Sequence, residues 1–375
     1  MPPPLSLAFD AKRAFDNRTG LGNYARTLLT SLADHQPQLG LTLYAPRPPR
    51  FPEAQAWADA LARHSQVRTV VPAGGGGALW RTFQMGPQAA ADGAALFHGL
   101  SGELPRRLPA RVKAVVTVHD LIFWRYPHLF PAFDRFFYRR KLLHACQRAD
   151  AVVCISQATR AELLDLVPGG AGLEAKTTVI YQSAEARAAP RPLVEPPLTG
   201  PARLLYVGAL TERKNVATVL RGLQQLPDVD FHFDILGAGP EAPALAALIA
   251  ADARLAHRVH LRGHVSDAEL AAALAQATAL VYPSTAEGFG IPILEALLAG
   301  LPVVASAASS LPEAGGDAAR YCPAIDPDAW VTALRTVLTD PAERERMRAR
   351  GYAHAARFAP ARIAADWAAL YARVA

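Results

Sequence analysis

Short β-branched or apolar stretches alternate with longer helical patterns along nearly the whole of this chain, and few folds accommodate that alternation. In the first half, residues 6–9, 42–44, 95–98, 114–118 and 151–155 read as strands, with helices such as 23–32 and 159–164 between them. A parallel sheet covered by helices on both faces is the arrangement this order predicts. The pattern breaks once, at residues 184–201, where Pro190, Pro192, Pro196 and Pro197 crowd together as a linker would. It then restarts: residues 203–207, 231–236, 259–261, 280–282 and 303–305 read as strands, with helices from Val216, Glu241, Ser266, Ile291 and Asp326. The chain of 375 residues is long enough for two cores. We therefore expect an α/β protein of two doubly wound, Rossmann-like domains, 1–185 and 202–359, joined by a linker at 186–201. The last segment, 360–375, carries Ile363, Trp367, Leu370 and Val374 at helical spacing and is expected to pack back on the first domain. Two such domains turn the carboxyl ends of their sheets toward a shared cleft, where α/β proteins bind ligands.

Composition narrows the function classes. With 51% hydrophobic and 19% charged residues, the chain reads as a soluble globular enzyme. Its three cysteines, Cys146, Cys154 and Cys322, form no CxxC pair, so neither a disulfide framework nor a zinc site is expected, and a reducing cytoplasm fits. The start of the chain lacks a charged leader before an apolar run, and no window offers about 20 uninterrupted apolar residues, so neither export nor a membrane span is expected. A net charge of +6 and a pI near 9.4 suit nucleic acid, an anionic membrane face or an anionic substrate. The arginines are dispersed and no aromatic platform accompanies them, so nucleic acid is not an expected partner. Phe133, Phe136, Phe137, Arg140 and Leu143 recur at helical spacing. We read that helix as part of the core with a solvated arginine side, and peripheral contact with a membrane as the alternative.

The richest motif is Glu287-Gly288-Phe289-Gly290-Ile291-Pro292-Ile293-Leu294-Glu295, a glycine-rich turn that opens a helix between two carboxylates. Gly288 and Gly290 permit backbone conformations closed to other residues, and Pro292 suits a first helical turn. Free amides at such a helix start attract anions, while the carboxylates suit hydroxyl groups on either side. An ordinary strand-to-helix turn with chance carboxylates is the plain alternative. Upstream, Gly208-Ala209-Leu210-Thr211-Glu212-Arg213-Lys214-Asn215 brings two cations to a helix entrance, which opposes the helix dipole unless an anion such as a diphosphate lies between them. A solvated surface pair would look the same. Ser266 and Glu269 form a capping box, which leaves Gly263, His264 and Val265 as an exposed turn able to meet the edge of a base. Gly237-Ala238-Gly239 reads as tight packing. In the first half, Gly20-Leu21-Gly22-Asn23-Tyr24 follows the first strand and opens a helix whose amides suit phosphate. His119-Asp120 and His98 each close a strand, where a histidine either meets substrate or bonds neighbouring backbone.

Taken together, Glu287 to Glu295, the Gly208–Asn215 loop, Gly263-His264-Val265, Ser284, the Gly20–Tyr24 loop, His119-Asp120 and residues 149–156 resemble glycosyltransferase family 4, the retaining enzymes of the GT-B fold. The resemblance spans nearly the whole chain. It implies a nucleotide-sugar donor held mainly by the second domain and an acceptor held mainly by the first. Arg213 and Lys214 would balance the diphosphate, Glu295 would bond the ribose, Glu287 and the amides from Gly288 through Phe289 and Gly290 to Ile291 would hold the sugar, and Gly263 to Val265 would meet the base. Gly208 would border the phosphates, Gly20 and Gly22 would reach them from the first domain, His119 would face the reacting sugar, and Asp120 and His98 would lie on the acceptor side. One departure stands out: many members carry arginine directly after the glycine of the Gly208 loop, where this chain has Ala209.

Departure of a nucleoside diphosphate builds negative charge that fixed cations and helix amides stabilise, with no metal required. No DxD stands in the second half near the phosphate site, so neither a metal nor another cofactor is expected. The resemblance implies retention, and no carboxylate is well placed as a nucleophile, so front-face attack is the expected course. Residues 116–121 and 309–313 look most like bacterial mannosyltransferases that use GDP-mannose in surface polysaccharide or lipid-linked oligosaccharide synthesis. UDP-glucose, UDP-N-acetylglucosamine and GDP-deoxysugars stay open as donors. The acceptor is a saccharide or one carried on a polyprenyl diphosphate, which the basic balance and the Phe133 helix suit at the cytoplasmic face of the inner membrane. A nucleotide-sugar epimerase of the same architecture and a non-catalytic sugar-nucleotide binding protein are the competing readings.

Overall fold

The computed structural model describes residues 5–194 and 200–375, which form two compact units: Met1–Ser183 with Ala359–Ala375, and Ala184–Phe358. The first unit is built on a seven-stranded parallel sheet of β1 (Leu5–Asp10), β2 (Leu39–Tyr44), β3 (Val67–Val70), β4 (Leu96–Gly99), β5 (Lys113–Val118), β6 (Ala151–Cys154) and β7 (Thr177–Val179), in the order 3-2-1-4-5-6-7. The second carries β8 (Ala202–Val207), β9 (Phe231–Leu236), β10 (Val259–Gly263), β11 (Ala279–Tyr282), β12 (Val303–Ser306) and β13 (Ala319–Cys322), in the order 10-9-8-11-12-13. Both orders are doubly wound. Each sheet reverses direction beside its first strand, between β1 and β4 and between β8 and β11, and a crevice opens at the carboxyl ends there.

The central strands are buried on both faces, which is why they read as continuous apolar runs: Val115, Val116, Val152 and Val153 in one sheet and Leu280, Val281, Val303 and Val304 in the other are fully buried. The Pro360–Val374 helix belongs to the first unit, where it buries Ile363, Trp367, Leu370 and Tyr371. Tyr371 and Trp367 both pack on His98, with ring centroids 5.7 and 4.7 Å away.

One expectation needs correction. The Ala132–Arg148 helix does not bury its aromatic positions: Phe133, Phe136, Phe137 and Tyr138 are 72%, 53%, 42% and 39% exposed, and the buried stripe is Leu142, Ala145 and Cys146. Counting aromatic periodicity mistook the outward face for the inward one. The proline-rich segment, in its described part, is hydrogen-bonded to the Pro341–Ala355 helix. Arg348 donates to the carbonyls of Pro192 and Leu193 at 3.1 and 2.9 Å, and the Tyr352 hydroxyl to that of Arg191 at 2.8 Å. Residues 195–199 of the expected linker lie outside the described residues. Among the described residues, no helix is long and apolar enough to cross a membrane.

Candidate functional site

In the second unit, three turns meet at the carboxyl ends of β8, β9 and β10. The turn after β8 is laced to the turn after β9: Leu210 N–H donates to the Ala238 carbonyl at 3.0 Å, and a Cβ on Gly237 would fall 1.8 Å from the Gly208 carbonyl oxygen. Gly237 N–H in turn donates to the Gly263 carbonyl at 2.8 Å. Gly237 thus serves backbone packing, and it fixes Gly208 and Gly263 against each other. His264 beside them is exposed, Gly263 and Val265 half-buried, and the Ser266–Glu269 capping box is formed.

The residues after β8 and β11 then converge. Lys214 and Arg213 both pair with the carboxylate of Glu287, Lys214 on Oε1 and Arg213 on Oε2 at 2.8 Å. The Tyr282 hydroxyl, at the end of β11, accepts from Lys214 Nζ at 2.8 Å and donates to Glu287 Oε1 at 3.1 Å. Burial alone would raise the Glu287 carboxyl, but Lys214 and Arg213 outweigh it and hold it below the usual carboxylate range. Burial lowers Lys214 despite Glu287. The anion expected between the two cations is therefore already supplied by the protein, as Glu287 itself, which corrects the view of the cations as waiting for a diphosphate alone. Three charges in this cluster still sum to +1, so an anion remains favoured beside it.

The helix start after Glu287 is shaped by its neighbours. Ser309 and Ser310 hydroxyls donate to the Glu287 carbonyl, Ser310 at 2.9 Å, and Ser310 also reaches the Phe289 carbonyl at 3.0 Å. Gly290 caps the Ile291–Leu298 helix at φ 121°, a left-handed conformation that suits glycine. Phe289 is buried against Phe358, so only its backbone and that of Gly288 and half-buried Ile291 can meet a ligand. Glu295, one helical turn in, is 9% exposed and pairs with Arg187 Nε at 2.5 Å, while Arg187 Nη1 reaches Asp267 at 3.0 Å. Burial raises the Glu295 carboxyl, and Arg187 only partly offsets this. The site contacts of Arg187 and Tyr282, and those of Ser309 and Ser310 within the 309–313 stretch, are not legible in the sequence because their partners lie 5 to 108 residues away, with no spacing rule joining them.

The first unit presents a second cluster. His119 closes β5, and its Nε2 lies 2.8 Å from the Leu100 carbonyl, which can only accept; Nε2 therefore carries the proton and Nδ1 is the acceptor. Its ring meets Tyr24 edge-on at 4.5 Å. Burial pushes His119 down to about 4, against the Leu100 carbonyl, so the ring is neutral near pH 7. Asp120 accepts from Ile122 N–H at 3.1 Å. His98 is not on a ligand-facing surface: it is fully buried, bonded to Tyr371 and Thr117 at 2.8 Å each, and burial takes it down to about 3. This overturns its acceptor-side placement and makes it a packing residue beneath the last helix.

Gly22 also has another role than expected. A Cβ there would fall 1.8 Å from the Asn17 carbonyl oxygen, and its N–H faces the Asn17 side chain at 3.2 Å. Nothing lies within 4 Å of a Cβ on Gly20, the first residue of the Gly20–His35 helix. Among the described residues, no three His, Cys, Asp or Glu side chains are grouped to hold a metal ion.

Comparison with known proteins matches both units. Residues 18–186 fit the model of Glycosyltransferase Family 4, and residues 194–354 that of Glycosyl transferases group 1. The O-antigen chain mannosyltransferase B of Escherichia coli is 33% identical over 272 residues, which is 70% of each chain. Among solved structures, the sucrose-phosphate synthase of Thermosynechococcus elongatus superposes with a TM-score of 0.72 at 21% identity, covering 98% of each chain. Anabaena HepE in complex with UDP also reaches 0.72, at 17% identity over 99% of this chain and 100% of that one.

Proposed function

This chain belongs to glycosyltransferase family 4 and has the GT-B type of fold, and from that premise we propose that it transfers mannose from GDP-mannose, with retention and without a metal, to a saccharide or lipid-linked oligosaccharide of bacterial surface polysaccharide. The observation that carries the reading is the convergence of Arg213 and Lys214 on Glu287 at the carboxyl end of the second sheet. A leaving diphosphate beside that cluster gains negative charge as the glycosidic bond stretches, and the two cations stabilise it where it develops. Glu287, held ionised by them, orients the cations and accepts hydrogen bonds from the sugar. Its charge is already matched, which disfavours it as a nucleophile and supports front-face attack, with the departing phosphate taking the acceptor proton. Glu295 receives the ribose hydroxyls once Arg187 gives way, and the Gly263–Val265 turn meets the base. Gly20 offers an amide to phosphate in place of Gly22. His119, neutral with Nδ1 as acceptor, takes a hydrogen bond from a hydroxyl of the reacting sugar.

Mannose is favoured by the Escherichia coli relative, whose name gives that sugar. A UDP-sugar donor is the second reading, favoured by the likeness to HepE determined with UDP. A thermal-shift panel decides between them, because a ligand that binds only the folded protein raises its apparent stability. GDP and GDP-mannose are expected to raise the Tm by several degrees and UDP compounds by little; a shift with UDP-glucose alone would reverse the assignment, and none with either would end it. Product analysis without acceptor then separates transfer from epimerisation.

A further inference from the structure

Tyr206 and Tyr282 stand side by side near the carboxyl ends of β8 and β11, the paired strands at the reversal of the second sheet. Their rings are stacked, with centroids 6.1 Å apart and planes 19° from parallel, and both are buried. The rest of β11 is Ala279, Leu280 and Val281, so a phenylalanine would suit position 282 as well by packing alone. A buried hydroxyl costs stability unless it is hydrogen-bonded, so the partners of each hydroxyl show its use. Tyr206 donates to the Ala209 carbonyl at 3.0 Å and braces the turn after β8. Tyr282 instead accepts from Lys214 Nζ at 2.8 Å and donates to Glu287 Oε1 at 3.1 Å.

Lys214 Nζ also donates to that same carboxylate oxygen, so Nζ, the Tyr282 hydroxyl and Glu287 Oε1 close a triangle. An ammonium carries three N–H groups and accepts nothing. Two are used inside the triangle, and the tetrahedral nitrogen turns the third away from it, where it has no partner among the described residues. The Lys214 side chain is nearly buried, so its freedom to re-aim is small. The charged cluster of the first unit is built without such a group. Arg81 bonds Asp10 at 2.6 Å and Glu103 at 2.5 Å, and Lys141 reaches Glu103 at 3.3 Å; among the described residues no hydroxyl bonds any of these four side chains. Pairing buried charges does not by itself call for a tyrosine.

We propose that Tyr282 is a positioning residue for transfer: its hydroxyl holds the Lys214 ammonium so that the remaining N–H is aimed at the phosphate of the departing nucleoside diphosphate. The assignment rests on the reading that this cluster receives the donor. Phosphate takes the free N–H while the bonds to Tyr282 and Glu287 stay in place, so the cation meets the developing charge without reorganising. Tyr206, stacked on the ring, fixes where the hydroxyl sits. The charged groups that bear on Tyr282 are Glu287, Lys214 and Arg213, with Tyr206 as the other titratable neighbour. Because the hydroxyl accepts from the charged lysine and donates to the charged carboxylate, it favours the ionised form of both. Its removal lowers Lys214, which burial has already lowered, and raises Glu287.

The test is Tyr282→Phe, which keeps the ring and its stack. Calorimetry with GDP, and with UDP in parallel, should show affinity weakened about tenfold at neutral pH, and the gap should widen toward pH ~9 as the variant loses the Lys214 charge first. In a Lys214→Ala background the same substitution should change affinity less than about twofold, because the hydroxyl acts through that ammonium. Unchanged affinity in Tyr282→Phe, or an equal loss with and without Lys214, would overturn the proposal and leave the hydroxyl a packing group whose loss lowers only the Tm. If neither nucleotide binds the wild type, the donor reading fails, and the positioning of Lys214 is decided by its own titration, followed by NMR in protein labelled at lysine Cε, with the signal identified by its absence in Lys214→Ala. Tyr282→Phe should move that titration down by about one pH unit or more, and Tyr206→Phe should leave it in place. A downward shift upholds the positioning whatever binds, and an unmoved signal overturns it.

Discussion

The two strand reversals of this protein carry inverse charge patterns. Beside β1 and β4 a single cation, Arg81, is held between two carboxylates; beside β8 and β11 a single carboxylate, Glu287, is held between two cations. In the first the central ion offsets the repulsion between two sequence-distant carboxylates; in the second it offsets the repulsion between two adjacent cations and ties their turn to a distant one. The difference lies in what is left over. Lys141 completes the first cluster to neutrality, whereas the second keeps +1, and that surplus marks it for an anionic ligand. Crevices of the same topology are thus tuned by one side chain each.

Removing the central carboxylate should cost most. Glu287→Ala leaves Arg213 and nearly buried Lys214 facing each other, and chemical denaturation should show a loss of about 3–5 kcal/mol together with loss of the Tm shift from GDP-mannose. Arg81→Ala is the matching change in the first unit. Because Lys141 still serves Glu103, the expected loss is smaller, about 2–3 kcal/mol, with the nucleotide-induced shift retained. If Arg81→Ala abolished that shift, the two clusters could not be independent.

Acid should separate the two units next. His98 and His119 stay neutral in the folded protein down to about 3 and about 4, whereas in the unfolded chain they take up protons near 6.5. Their folded values are depressed, so nothing is lost above pH 6.5 and stability falls as pH drops from there toward the folded values. The slope is at most about 1.4 kcal/mol per pH unit per histidine. Glu287 has a lowered carboxyl, so its contribution is intact above the unfolded value of 4.5 and disappears only below it. Urea midpoints followed from pH 7 to 5 should therefore decline in the wild type and less steeply in His119→Asn. A flat wild-type profile over that range would contradict the burial of both rings.

The smallest effect concerns Arg187. Glu295 can take up a proton when its partner is lost, since burial already raises it, so Arg187→Ala should cost no more than about 1 kcal/mol. The same variant should change GDP affinity severalfold, measurable by calorimetry, because the ribose would no longer compete with a guanidinium for that carboxylate. Unchanged GDP affinity would detach Glu295 from the nucleotide.

Much of this architecture was legible in the sequence, for a physical reason. Strands buried on both faces, such as β5, β6, β11 and β12, must be apolar throughout, and they stand out in the chain. The strands that escaped notice, β3, β7 and β13, lie at sheet edges, where Arg68, Thr178 and Arg320 sit at positions that need no burial. The Glu287–Glu295 turn was legible because local backbone needs fix glycine and proline there, and the Arg213-Lys214 pair because two adjacent cations at a helix entrance oppose its dipole. That Glu287 would sit between those cations, or that Arg187 would close over Glu295, was not legible, since each depends on loops brought together by strand order. Gly22 and His98 show the converse: residues whose place in a motif suggested a ligand, but which the fold spends on Asn17 and on Tyr371.

The first unit contains both the earliest and the latest parts of this chain, because the Pro360–Val374 helix lies on a sheet begun at Leu5. On a ribosome, the second unit can close before the first is finished. Until the final helix emerges, His98 and Phe9 are left without the cover of Trp367 and Tyr371, so a nascent or prematurely ended chain carries an open apolar seam. The Pro360–Val374 helix therefore acts as a seal on the first unit, and a chain cut before it would leave that unit half-built.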